Sequence, residues 1–223
     1  MRIAFLHTAE VHVATFDRLF DAIDVDVQLS HHVDAGLLAR ARQFGPNSVR
    51  SDVQTILKKL AHADAVLCTC STLGPLADEA AQTFENILRI DRPLMEKACA
   101  EGQKILIALC LESTRDATLD LLRDCAEKRN EQVESVVVLC DKAWAYFEAG
   151  DTEAYAASIA EAIKSELAEH PDVDCIVLAQ ASMRVAEAEL AQVSIPVLSS
   201  PEIAARRCIE IARQIATKKA PTR

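Results

Sequence analysis

Short apolar runs alternate with longer segments in which apolar residues recur every three or four positions. The short runs predict strands near residues 2–7, 24–29, 65–70, 86–90, 105–110, 135–140, 175–179 and 196–199. The longer segments predict helices, most clearly over residues 51–61, 114–128, 152–169 and 201–218. Strands that alternate with helices in this way form parallel sheets with right-handed crossovers. The pattern therefore predicts an α/β fold.

Eight predicted strands divide into two sets of four, with the break near Asp91-Arg92-Pro93. We expect an amino-terminal α/β half made of residues 1–92 plus 201–223 and a carboxyl-terminal half made of residues 93–200. Each half would hold a four-stranded parallel sheet flanked by helices. If the strand ends of both halves point inward, a cleft forms between them.

Composition and charge narrow the function. The chain has 223 residues, half of them hydrophobic, and a formal net charge of −10 at pH 7. Such an acidic chain is not expected to bind nucleic acid or a membrane surface. Its apolar runs are shorter than the roughly 20 residues of a membrane helix, and its start is typical of a first strand rather than a signal peptide. We expect a cytoplasmic protein.

The eight cysteines show neither zinc-ligand spacing nor a Cys-x-x-Cys pair, and most fall within apolar patterns. His31, His32 and Asp34 lack a third ligand at a suitable spacing for a metal. No glycine-rich phosphate-binding motif is found in the sequence. We therefore expect no metal and no cofactor.

Cys70 differs from the other cysteines in its position. It follows the apolar run of residues 65–69 and precedes Ser71-Thr72 and the helix-entry pair Gly74-Pro75. Ligands bind at the carboxyl ends of strands in open α/β sheets, and a helix amino terminus lowers a thiol pKa. Cys70 is the candidate reactive group.

Small polar residues follow several predicted strands. They are His7 and Thr8 after the first, Ser71 and Thr72 after the third, Thr114 after the fifth, and Gln180 and Ser182 after the seventh. Hydroxyl and amide donors at one sheet edge suit a carboxylate ligand. The alternative is that these hydroxyl groups cap the helices that follow.

These motifs resemble the aspartate/glutamate racemase superfamily, which includes hydantoin racemase, over nearly the whole chain. Cys70-Ser71-Thr72 resembles the family's first catalytic cysteine and its neighbours, and residues 173–178 resemble the strand that carries the second. Residues 144–155 and 108–114 are similar to a helix–turn–helix and to a strand-end loop of hydantoin-racemase-like members. The resemblance implies two pseudo-symmetric flavodoxin-like halves and a cofactor-independent enzyme with two facing cysteines.

The chain departs from this family pattern at the second cysteine. That position falls on Gln180 or Ala181, depending on a shift of one residue in the alignment. Cys175 lies too early, inside the strand, whereas Cys110 ends the fifth strand and remains an alternative. We expect a single-cysteine variant.

Several other polar residues have candidate roles near Cys70. The first and third strands are expected to be neighbours, so His7 is expected to approach Cys70 and favour its thiolate. Glu10 and His12 follow on the same loop and are expected to be exposed, with substrate contact as the alternative. Arg92 would either bind a distal substrate carboxylate or pair with Asp91 or Asp78.

The expected function is proton transfer at the α-carbon of a small carboxylate, an amino acid or a derivative, with Cys70 and His7 as catalytic residues. The substrate-binding candidates are Thr8, Ser71, Thr72, Thr114, Gln180 and Ser182. Decarboxylation or cis–trans isomerisation with the single cysteine remains an alternative, as does a non-catalytic small-molecule binding protein. Aliphatic residues exposed on the predicted helices are compatible with a homo-oligomer.

Overall fold

The structure, a computed structural model, describes residues 1–219 and contains two compact units. The first unit comprises Met1–Ile90 and the chain from Pro201 onward, and the second comprises Asp91–Ser200. The sequence placed this division after Arg92, two residues later. Asp91 goes with the second unit because its carbonyl oxygen accepts the first-turn hydrogen bond of the next helix, from the backbone N–H of Met95 (3.0 Å).

The first unit contains four strands and five of the α-helices that the structure describes. In chain order they are β1 (Arg2–His7), α1 (Val11–Ile23), β2 (Gln28–Val33), α2 (Ala35–Phe44), α3 (Arg50–Leu60), β3 (Ala65–Cys68), α4 (Gly74–Ala81) and β4 (Ile87–Arg89), with a last helix, Ser200–Lys219, packed in this unit from Pro201 on.

The second unit contains four strands and four of the described α-helices. In chain order they are α5 (Arg92–Glu101), β5 (Lys104–Leu109), α6 (Arg115–Lys128), β6 (Glu134–Leu139), α7 (Asp141–Ala149), α8 (Thr152–Glu169), β7 (Cys175–Leu178) and β8 (Val197–Ser199). The helix Ser200–Lys219, described above with the first unit, is α9.

The predicted fold class is confirmed. All strand pairs are parallel, in the order β2-β1-β3-β4 in one sheet and β6-β5-β7-β8 in the other. Each sheet thus has its first strand beside its third, and the order is the same in both units. The two units are pseudo-symmetric copies of one flavodoxin-like arrangement.

The predicted second strand is wrong by about four residues. Residues 24–29 were expected to be extended, but α1 runs to Ile23 and ends at Asp24, which has a left-handed backbone (φ 55°). Asp24 donates its N–H to Asp21, and the strand begins only at Gln28. The shift brings His31 and His32 into the strand, where His31 pairs with Phe5 of β1.

The cores of both units follow from the sequence pattern. β3, β5 and β7 are apolar on both faces because helices cover both sides of a parallel sheet. Between α7 and α8, Gly150 adopts φ 75° and the Asp151 carboxylate caps the next helix by accepting from Ala154 N–H (3.0 Å).

None of the helices described is long and apolar enough to cross a membrane.

Candidate active site

Cys70 lies two residues beyond the end of β3 in the first unit. It has an extended backbone and caps a 3-10 turn, Ser71–Leu73, that leads directly into α4. The backbone N–H of Thr69 still bonds to the Leu6 carbonyl (2.9 Å), so the pairing of β1 with β3 continues past the last ladder residue. In this register, Thr8 lies opposite Cys70.

Hydrogen-bond donors surround the Cys70 sulfur. The hydroxyls of Thr8 and Thr72 and the backbone N–H groups of Thr72 and Leu73 lie near it, and the Leu73 N–H bonds to the Cys70 carbonyl (3.1 Å). These donors lower the pKa of the thiol, but burial has the larger effect and raises the pKa above its ordinary value. The expectation that this position favours thiolate is therefore wrong: desolvation outweighs the helix terminus and its donors, and Cys70 rests as a neutral thiol.

His7 does not meet Cys70 directly, contrary to the sequence prediction. Its ring nitrogens are engaged by Thr69 Oγ1 (2.7 Å) and His31 Nδ1 (2.9 Å). The strands are neighbours as predicted, but the register places His7 opposite Thr69, and consecutive side chains on a strand point to opposite faces. His7 and Thr69 therefore meet on one face of the sheet, and Thr8 and Cys70 meet on the other.

The face that carries His7 is packed against α1. The His7 ring stacks with Phe5 and His31 and lies near Phe16 and His12. Burial, with His12 and His31, lowers the pKa of His7 to about 3, and burial lowers the pKa of His12 to about 4. Both rings are thus neutral at pH 7, and the expected exposure of His12 is wrong.

Sequence reasoning missed three members of this cluster. Thr69 binds His7, and His31 connects His7 to the Asp17 carboxylate, 3.1 Å from His31 Nε2. The misplaced second strand hid His31, because a residue beyond the strand end has no fixed neighbour on β1. Asp17 could be found only through the packing of α1 on the sheet.

A buried arginine packs against the start of α4, directly after the turn that follows Cys70. The Arg89 guanidinium, at the end of β4, fills the space that a side chain on Gly74 would occupy. Arg89 also bonds to Asp78 Oδ2 of α4 (2.8 Å). Glycine at position 74 therefore permits the close approach that holds the start of α4 to the sheet.

The strand ends of the second unit carry a different arrangement. The side-chain oxygen of Gln180 accepts hydrogen bonds from the backbone N–H of Cys110 (2.5 Å) and of Leu111 (3.2 Å). Two N–H donors can face only the oxygen of a carboxamide, so the orientation of the amide is determined. The Gln180 amide nitrogen is then left to serve as a fixed donor.

The symmetry between the units settles which residue occupies the position equivalent to Cys70. The bond from Thr69 N–H to Leu6 is matched by one from Ala179 N–H to Ala108, both 2.9 Å. Counting one residue onward, Gln180 corresponds to Cys70, and Cys110, directly after β5, corresponds to Thr8.

The thiols of the second unit are buried and neutral. Cys110 Sγ lies 3.5 Å from the Tyr155 hydroxyl, which also lies 2.8 Å from Ser182 Oγ. Burial raises the pKa of Cys110 to about 12. Cys175 is inside β7 and bonds to the Ala98 carbonyl (3.9 Å), as its place in the strand predicted. Tyr155, which sequence reasoning did not single out, holds Ser182 in place.

The remaining predicted residues divide by burial. Ser71, Thr72 and Thr114 are buried at strand ends. Thr114 occupies the N-cap position of α6, but its side chain makes no capping bond, and its N–H donates to the Leu111 carbonyl (3.0 Å). Arg92 bonds to Asp124 (2.6 Å), a structural pairing. Glu10 is exposed. Within residues 1–219, no group of three or more metal-ligating side chains could hold an ion.

Comparisons with known proteins agree with this geometry. The sequence model of the Asp/Glu/Hydantoin racemase family matches residues 25–208. No curated protein matches the sequence.

Solved structures resemble the chain over nearly its full length. Aspartate racemase of Picrophilus torridus is 19% identical with a TM-score of 0.69, over 95% of this chain and 94% of its own. Glutamate racemase isoform RacE1 of Bacillus anthracis is 16% identical with a TM-score of 0.71, over 97% of this chain and 82% of its own. A variant of arylmalonate decarboxylase is 15% identical with a TM-score of 0.60, over 100% of this chain and 96% of its own. At these identities, the similarity shows the fold.

Proposed function

The chain belongs to the Asp/Glu/hydantoin racemase family, and we propose that it transfers a proton at the α-carbon of a small carboxylate without a cofactor. Cys70 is the proposed acid/base. The observation that carries the proposal is the ring of donors around its sulfur: the hydroxyls of Thr8 and Thr72 and the N–H groups of Thr72 and Leu73.

The donors suit a thiol that gives and takes a proton. Because burial raises its pKa, Cys70 holds its proton at neutral pH and can deliver it to a carbanion. The C–H bond forms as the S–H bond breaks, and the charge then resides on a sulfur that already faces four donors. In the reverse step, the same thiolate removes the α-proton.

Proton removal beside a carboxylate also needs donors for the carboxylate oxygens, which gain charge in the enediolate-like state. Thr8, Ser71 and Thr72 are the proposed donors from the first unit, and each threonine hydroxyl, which has a single proton, turns from the sulfur to the carboxylate once Cys70 has taken the α-proton. Thr114, Gln180 and Ser182 are those proposed from the second unit. Gln180 suits this role because its oxygen is occupied by two backbone N–H groups, which directs its amide nitrogen elsewhere.

A second candidate activity is decarboxylation or cis–trans isomerisation with Cys70 as the only thiol acid. The residue equivalent to Cys70 in the second unit is an amide, which neither gives up nor accepts a proton at neutral pH. A one-thiol enzyme that protonates a carbanion needs no second acid/base. Release of carbon dioxide, or a change at a double bond, distinguishes these reactions from racemisation.

The test is exchange of the α-proton in deuterated water, followed by NMR with amino acids, hydantoins, maleate and malonates as substrates. We expect Cys70→Ala to reduce exchange, carbon dioxide release or isomerisation by about 100- to 10,000-fold, the range of a lost acid/base. Cys99→Ala, in α5 away from the strand ends, is the matched control and should retain the activity. Full turnover in Cys70→Ala would refute the proposal, and turnover of no substrate in the native protein would favour a binding protein.

A further inference from the structure

Four polar side chains form a hydrogen-bonded series on the face of the first sheet that packs against α1. Asp17 Oδ1 lies 3.1 Å from His31 Nε2, His31 Nδ1 lies 2.9 Å from His7 Nε2, and His7 Nδ1 lies 2.7 Å from Thr69 Oγ1. The Asp17 side chain is 49% exposed, that of His31 14%, and His7 is fully buried. This histidine series therefore runs from solvent to the residue before Cys70.

Two arrangements of hydrogens satisfy every member of the histidine series. In the first, His31 carries both ring protons and pairs with Asp17; His31 donates to His7, His7 donates to Thr69, and the Thr69 hydroxyl donates to the Leu6 carbonyl (3.2 Å). In the second, His31 is neutral and still donates to Asp17, but the bonds on its other side reverse: Thr69 donates to His7, and His7 donates to His31.

Hydrogen placements that combine parts of these two arrangements are less stable than either. If His31 is neutral and donates to Asp17 while His7 donates to Thr69, two lone pairs face each other across the 2.9 Å between the imidazoles. A buried pair of acceptors without a proton between them is unfavourable, because each has lost its hydrogen bond to water without a replacement. The position of the proton on His7 therefore depends on whether His31 is charged, although His7 itself stays neutral.

The series acts next to Cys70 through the strand register. His7 with Thr69, and Thr8 with Cys70, are consecutive cross-strand pairs beyond the end of the β1–β3 ladder. The first pair fixes how the two chains leave the sheet, and the second places the Thr8 hydroxyl on the sulfur. A change of donor direction at Thr69 is thus one peptide away from the reactive thiol.

We propose that Asp17 and His31 are positioning residues for Cys70, and that protonation of His31 from solvent reverses the hydrogen bonds of His7 and Thr69. The catalytic consequence rests on the proposed function of Cys70, whereas the reversal does not. The proton enters at His31 because this imidazole faces a carboxylate at the exposed end of the series.

Other charged groups near the series are few. Among the described residues, the titratable side chains that face His7 are His12 of α1 and His31 of β2, and Asp17 of α1 faces the far side of His31. Burial, His12 and His31 lower the pKa of His7 to about 3, and burial lowers that of His12 to about 4. Neither ring therefore competes with His31 for the proton above pH 5.

The first test is NMR of ¹⁵N-histidine-labelled protein, in which two-bond correlations identify the protonated ring nitrogen. We expect His7 to carry its proton on Nε2 at high pH and on Nδ1 after His31 is protonated, with one midpoint shared by both residues. Asp17→Asn should move that midpoint to lower pH, because the carboxylate partner of the imidazolium is lost.

Matched variants separate the series from general effects of charge. His31→Phe keeps the stack on Phe5 but deletes both nitrogens, so the His7 tautomer should no longer change between pH 5 and 9. Asp21→Asn, one turn along α1, and His32→Gln, on the other face of β2, should leave the shared midpoint in place. A His7 tautomer that is constant in the native protein, or that still changes in His31→Phe, would overturn the proposal.

The second test follows Cys70 by mass spectrometry of its peptide during alkylation between pH 6 and 10, which requires no substrate. The native rate should show an inflection at the His31 midpoint that is absent in His31→Phe and retained in His32→Gln. For turnover, we expect His31→Phe to lower kcat about tenfold with a smaller change in KM, as misplacement of a reacting group does. Reversal seen by NMR with an unchanged Cys70 profile would refute the positioning role alone, and failure of Cys70→Ala to lose activity would refute the proposed function alone.

Discussion

The two units share one topology but place different chemistry at the same strand ends. In the first unit, the Thr8 hydroxyl lies beside a thiol just beyond the end of β3 and lowers its pKa. At the equivalent place in the second, the backbone of Cys110 donates to an amide oxygen at the end of β7. The thiol at position 70 is the proposed acid/base, whereas the amide at position 180 is held in one orientation.

The opposite faces of the same strand ends differ as strongly. His7 and Thr69 are polar and belong to the histidine series, but their equivalents by register, Leu109 and Ala179, are apolar. His31 likewise corresponds to Val137. The comparison teaches that the fold supplies only an edge with converging strand ends. In the first unit, titratable side chains occupy both faces of that edge, and this is where we propose that proton transfer takes place.

The largest expected contrast between the units is their stability in acid. The neutral state of buried His12, with a pKa of about 4 against 6.5 when unfolded, corresponds to a loss on the order of 3 kcal/mol as pH falls from 6.5 to 4. Above pH 6.5 neither state binds the proton, and below it only the unfolded chain does, so the first unit should lose protection first. Hydrogen exchange followed by peptide as a function of pH measures this.

A matched pair of variants tests the cause of this acid sensitivity. His12→Phe should remove the part of this pH dependence that comes from His12 and leave the part from His7, whereas His62→Gln, at an exposed position, should leave the whole dependence unchanged. The second unit has a single histidine, His170, which is 38% exposed. Simultaneous loss of protection in both units would contradict the assignment.

The next contrast is at Gln180. Gln180→Leu removes the acceptor of two backbone N–H groups at buried positions, and we expect the free energy of unfolding to fall by about 2–3 kcal/mol. Gln180→Glu keeps the accepting oxygen and should cost less. Urea denaturation measures both, with the exposed Gln214→Leu as the control. Equal stability of Gln180→Leu and the native protein would mean that the amide is not held as described.

The smallest contrast concerns the donor to the thiol. Thr8→Val removes one hydroxyl donor from the Cys70 sulfur and should raise the pKa of the thiol further, slowing alkylation at pH 8 by about three- to tenfold. Thr55→Val, on the exposed face of α3, should react at the native rate. The pH profile of alkylation should also have its midpoint above that of an ordinary thiol, and a midpoint below it would contradict the burial of Cys70.

Much of the fold could be predicted because buried parallel strands are short, continuous apolar runs. β1 and α8 were placed at their observed bounds, and six other strands within one or two residues. β2 was misplaced because residues 24–29, Asp-Val-Asp-Val-Gln-Leu, alternate polar and apolar residues as a half-buried strand does, and the left-handed turn at Asp24 that ends α1 leaves no clear signal in the sequence.

The candidate site was predictable in its members more than in its contacts. Cys70, Thr8 and Gln180 all lie at strand ends, as expected. The partner of Cys70 was missed by one residue, because neighbouring strands were inferred without their register, and one step in register exchanges the faces. The proton state of Cys70 was also misjudged, since burial depends on all the surrounding elements rather than on the helix that follows.

The sequence by itself determined the α/β class, the division into two sets of four strands and the residues available at each strand end. These properties depend on local patterns of apolar and polar residues, which a single chain displays. Tertiary structure alone decided that Thr8 rather than His7 meets Cys70, that His31 joins His7 to Asp17, and that Gln180 is the counterpart of Cys70. Each of these depends on register and burial, and both arise only when distant segments pack together.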